Sequence, residues 1–238
     1  MKRIISLLVV AGMMAASVQA FGWGMPSIPS TDGGDSAKVD VQALTGREAA
    51  LKTRVIKANI QLAKGLAEIE YAVGNATMAA KLEAAAASLA SKPTDIENCK
   101  KEQATINDAE KELAQVDMNA KMNKEEARKR LGKSLLNLGA ASLLDVQAAN
   151  DAKVLVTDIT NGIKAAKASP MTYGVSAVTN LTSGLNTANF VVETIPPQIS
   201  TTAKLSQGLA KYAQTNKIEL PSQQEIADYS KNLDKQES

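Results

Sequence analysis

The chain has 238 residues, 45% of them hydrophobic but only 3% aromatic, with 27 Lys and Arg against 25 Asp and Glu and no histidine. Near-neutral charge and scarce aromatics deny it the basic footprint and stacking groups of a nucleic-acid binder. Without histidine it cannot build Ser-His-Asp or Cys-His catalytic arrangements, and it lacks the commonest ligand for zinc, copper and haem iron.

Residues 1–20 predict a cleavable signal peptide. Lys2 and Arg3 form a positive start, Ile4 to Ala16 an apolar run too short to span a bilayer, and Val18-Gln19-Ala20 a cleavage signal read after Ala20. Its removal takes away two cations and leaves 25 charges of each sign. The sole cysteine, Cys99, has no intramolecular disulfide partner, which favours a bacterial periplasmic or secreted product over a disulfide-stapled one. Residues 21–36 are rich in Gly, Pro and Ser and read as a flexible segment. Phe21 and Trp23 within it are candidate partner-binding aromatics.

Residues 37–238 read as one domain, all-α: an elongated helical bundle with long, coiled-coil-like amphipathic helices. Thr45 and Glu48 have capping-box spacing. Leu44, Leu51, Val55, Leu62, Leu66, Ile69 and Val73 then recur at steps of three, four or seven. In this stripe Leu51, Val55, Leu62 and Leu66 are candidate partner-binding residues. Gly74-Asn75 interrupts the helix, and an Ala-rich helix from about Ala76 to Ser91 follows, stopped by Pro93. Thr94 and Glu97 repeat the capping spacing before a third helix that carries Ile96, Cys99, Ile106, Leu113 and Val116. Cys99 lies on that apolar stripe and reads as a small buried hydrophobe. Asn123 and Glu126 mark either a break or a polar patch, and the pattern runs on to about Lys167. A stripe from Val175 to Val192 is expected to end at Pro196-Pro197, with a separate helix over 200–216. Ser222 and Glu225 then cap a short C-terminal helix.

Motifs for chemistry are missing. There is no phosphate-cradling Gly-rich loop and no nucleophile elbow, and Asp158 to Gly162 lacks the alternating ligands of a calcium loop. Glu68 with Glu70, and Glu110 with Glu112, sit two apart on a helix and face different directions, as a solvated charged face would. No enzyme activity, cofactor or metal is therefore expected.

Two uncharged stretches stand out. One is Ser134 to Leu144, and the other is 168–203, where Glu193 is the only charge. Helices neutral all round are usually buried, so a central helix covered on several sides is expected. Leu135, Leu138, Val178, Leu181 and Leu185 are the candidate self-association or membrane-contact residues. The function expected from these features is that of an exported interaction or scaffold protein in the bacterial envelope, acting through helix–helix association with a protein partner or with itself. A membrane-active, lipid-binding or pore-forming protein using 131–144 and 168–203 is the second reading.

Overall fold

The computed structural model describes residues 39–235, and the signal-peptide and tail expectations, Phe21 and Trp23 included, lie outside them. Among the described residues the fold is all-α, with helices packed against one another as a bundle. In chain order the helices are α1 (Val41–Ala72), α2 (Ala76–Ala90), α3 (Ile96–Leu113), α4 (Met118–Lys121), α5 (Lys124–Ala168), α6 (Pro170–Tyr173), α7 (Val175–Thr215) and α8 (Gln223–Lys235). At 1.5 Å per residue α5 alone is about 67 Å long, so the bundle is elongated.

α1 is the central rod. Its pairs with α5 run antiparallel: Arg47 meets Asp158, Gly65 lies against Leu138, and Glu68 meets Arg130. α5 and α7 form an antiparallel hairpin through α6, which returns α7 parallel to α1. The α2–α3 hairpin covers another side of α1, and α8 packs on α5 with Ile226 over Gly139. From Val55 to Ala72 most of α1 is buried, although it carries Gln61, Glu68 and Glu70 as well as leucines.

Helix starts follow side-chain chemistry, with corrections to the expected caps. Asp40, not Thr45, opens α1 by accepting from the Ala43 amide at 2.9 Å. Thr45 lies inside the helix and bonds back to the Val41 carbonyl, while the Glu48 carboxylate accepts from Thr187 Oγ1 at 3.0 Å. Asp95, not Thr94, caps α3. Asn123 accepts from the amides of Glu125 and Glu126, so the signal there is a true start. Ser222 and Glu225 form the complete reciprocal box.

Pro196-Pro197 does not end a helix: α7 runs through both. Proline removes a donor and crowds the preceding turn, but both rings point to solvent, where the carbonyls they leave without an intrahelical partner can be hydrated. Ala188, Val191, Ile195, Gln198, Thr202, Leu205 and Leu209 keep helical period across the pair and are buried. Burial of that continuous face outweighs the local penalty.

Candidate functional site

The leucines expected to meet a partner are instead occupied within the chain. Leu51, Val55, Leu62 and Leu66 are 0–1% exposed and pack into the core. Leu135, Leu138 and Leu181 are buried there too, so they offer no surface while the bundle is closed. An amphipathic stripe reports that a helix has a partner, and here that partner is the rest of the same chain.

The two uncharged stretches part company. Ser134 to Leu144 is the covered segment: all of it is buried except the half-exposed Leu136 and Leu143. It passes between α1 and α8, where Gly65 and Gly139 admit Leu138 and Ile226 so closely that added methyl groups would collide with them. Segment 168–203, expected to be covered on several sides, is covered on one. α7 buries one face, while Thr179, Asn180, Thr182, Ser183, Asn186 and Asn189 are exposed. Val178, Leu185 and Val192 are half-buried beside them, and Met171 on α6 is 99% exposed. This is a long, solvent-facing helix surface whose polar groups are hydroxyls and amides.

Inside, four helices share a polar layer. Gln103 of α3 donates to Gln198 Oε1 of α7 at 2.6 Å, and Gln198 donates to Asn59 of α1 at 3.4 Å and Asp145 of α5 at 3.3 Å. Asn59 donates to the Val55 carbonyl and to Cys99 Sγ at 3.6 Å. Nearby Thr202 donates to Glu110 Oε1 at 2.6 Å. Asp145 Oδ1 is buried without a hydrogen-bond partner. Burial, then the neighbouring Glu110 charge, drives Asp145 well above the usual carboxylate range. Burial, tempered by the Thr202 hydroxyl, pushes Glu110 up to about 7. Burial pushes the Cys99 thiol up to about 12, with further push from Asp145 and Asp95, so Cys99 is an inert core group rather than a nucleophile.

The paired glutamates face different directions as expected, but they are not a solvated face. Glu68, Glu70 and Glu110 are 8%, 1% and 2% exposed, and only Glu112 is open to solvent. Burial would raise Glu68, yet hydrogen bonds from Lys133 and Arg130 overcome it and hold the carboxyl below its ordinary value. Glu70 has no such cation; burial first, then repulsion from Glu112, lifts it to about 7 against the opposing pull of a hydrogen bond from Asn75. The signal for these acids was phase. Glu70 follows Leu66 by four and precedes Val73 by three, and Glu110 stands likewise between Ile106 and Leu113.

Among the described residues no three His, Cys, Asp or Glu side chains converge as a metal centre, and no helix is long and apolar enough to cross a membrane. In comparisons with known proteins, the chain matches no family model, no curated protein sequence and no solved structure.

Proposed function

We propose that this is an exported helical scaffold protein of the bacterial envelope, acting by helix–helix association rather than catalysis, with the outer face of α7 as its contact surface. The observation that carries this reading is the uncharged exposed row from Thr179 to Asn189, flanked by half-buried Val178 and Leu185. On the other described helices of more than four residues exposed faces carry Lys or Glu; on this face small hydroxyls and amides would let another helix approach closely, without stranding a charge. A second copy is the simplest occupant. Two such faces related by a twofold axis present no like charges to each other, and the same side chains supply both donors and acceptors.

Light scattering on the chain lacking residues 1–20 tests this. A dimer is expected, and Thr182→Lys with Asn186→Glu, two exposed changes one turn apart, should convert it to monomer without loss of helix. A wild-type monomer at every concentration, or a dimer indifferent to both changes, refutes the α7 surface. The membrane-active alternative draws on the same stretch and on the exposed Met171 at the α5–α7 tip. Vesicle flotation and dye release separate the two: leakage that needs Met171 would favour it, although the buried Leu135 and Leu138 would require the bundle to open.

A further inference from the structure

At one end of the bundle the chain makes a tight reversal. α1 stops at Ala72, Gly74 takes a left-handed conformation (φ +86°), and Asn75 opens α2 by accepting from the Met78 amide at 3.3 Å. α3 ends close by, since Asn75 Nδ2 donates to Glu112 Oε1 at 3.2 Å. Between these ends lies a cleft of about 430 Å³, lined by Glu70, Val73, Asn75, Glu112, Val116 and Lys121. Glu70 is 1% exposed, yet its Oε1 has no hydrogen-bond partner. A buried acceptor left unsatisfied on a side chain that lines a cleft is a costly arrangement unless a donor comes to it.

We propose that this cleft binds a primary ammonium group on a short carbon chain, held between the carboxylates of Glu70 and Glu112. Once both are ionised the two glutamates supply acceptors only, so the complementary ligand is a cationic donor, and one ammonium has three N–H groups to share between two carboxylates. Val73 and Val116 offer apolar surface for the chain's methylenes. Lys121, which also lines the cleft, disfavours a second positive end, which selects a monoamine or an ω-amino acid over a diamine. A divalent ion is the poorer match, because only two carboxylates line the cleft and such ions favour a fuller oxygen shell. The site is on different helices from the proposed contact surface, and neither depends on the other.

The charged groups that line the cleft with Glu70 are Glu112 from α3 and Lys121 from α4; α2 contributes no titratable group to the lining. In the empty cleft Glu70 holds its proton up to about pH 7, and the incoming cation displaces it. Binding should therefore strengthen about tenfold between roughly pH 6 and pH 8, as the ionised fraction of Glu70 rises. Calorimetric titration of the full chain with n-butylamine, 5-aminopentanoate, putrescine, calcium and a Lys-centred tripeptide blocked at both ends provides the test. The two single-ammonium probes should bind, putrescine less well and calcium not at all. If the tripeptide binds more tightly than n-butylamine, the natural source is a lysine side chain of a partner; if it does not bind, the source is a free amine. Glu70→Gln should abolish binding and its pH dependence. Glu112→Gln, at an exposed position that leaves the core untouched, should weaken binding at least fivefold. The proposal is overturned if no amine binds at millimolar concentration, if Glu70→Gln binds equally well, or if calcium binds where amines do not.

Discussion

Glu68 and Glu70 leave neighbouring positions of α1 toward opposite flanks of the bundle, and their surroundings differ in kind. On the Glu68 flank α1 meets α5 tightly: Ser134 Oγ donates to the Gly65 carbonyl at 2.9 Å, Leu138 fills the space above Gly65, and Arg130 and Lys133 both reach Glu68. On the Glu70 flank α1 meets the ends of α2 and α3 across a cleft, and no basic side chain answers the carboxylate. Both acids are buried, but one is kept ionised by two basic partners, whereas burial and the neighbouring Glu112 charge outweigh the Asn75 hydrogen bond and raise the other to about 7. The same residue type thus fastens one interface and leaves the other open to a ligand.

Opposite signs make the contrast measurable. Glu110 and Glu70 have folded-state values near 7 against an ordinary 4.5. The folded chain binds more protons in that interval, so their stabilising contribution is complete below about pH 4.5, declines through the window to about 7 and is flat above it. Glu68 is depressed, so its contribution is present above about 4.5 and fades as pH falls. The largest expected effect is therefore a fall in denaturation free energy from pH 4.5 to 7.5, with Glu110 alone accounting for on the order of 3 kcal/mol. Chemical denaturation across pH measures it, and Glu110→Gln should flatten the slope by about that amount. A stability that rises from pH 4.5 to 7.5 would break the comparison.

The closed flank can be tested sterically. A methyl group at Gly65 would stand 2.8 Å from Leu138 Cδ2 and 3.2 Å from the Leu138 backbone nitrogen, and the backbone cannot give way cheaply. Gly65→Ala should cost about 1–3 kcal/mol in the same assay, despite the better helix propensity of alanine. The smallest effect is expected for Arg130→Met, at about 1–2 kcal/mol, because Lys133 remains to answer Glu68 and the arginine is about a third exposed. Its loss should also bring the Glu68 carboxyl up toward its ordinary value, which carboxyl-carbon NMR would report. If Glu68 titrates unchanged, the pairing contributes little.

Much of the bundle was legible one helix at a time. Leu44 to Val73 repeats at helical spacing, Gly74-Asn75 and Pro93 interrupt it where the chain turns, and Ser222 with Glu225 forms the expected box. Local rules misled where a tertiary contact overrode them. Thr45 and Glu48 had the spacing of a cap, but Glu48 is drawn to Thr187 across the bundle; Pro196-Pro197 looked terminal, but the buried stripe on either side holds α7 together. The candidate sites were less legible. A glutamate in phase with leucines reads as an accident of composition until a neighbouring helix covers it, and the exposed row on α7 reads as buried until its neighbours prove to cover only one face.

Helical class, element order and the distribution of charge were decided by the amino-acid sequence alone, because capping, period and chain reversal depend on residues within a few positions of one another. Which face of α7 stays wet, whether Glu68 finds Arg130, and whether Glu70 meets a cation were decided only when residues tens to more than a hundred positions apart came together. Burial and ion pairing belong to pairs of surfaces, and a single strip of sequence describes only one surface of each pair.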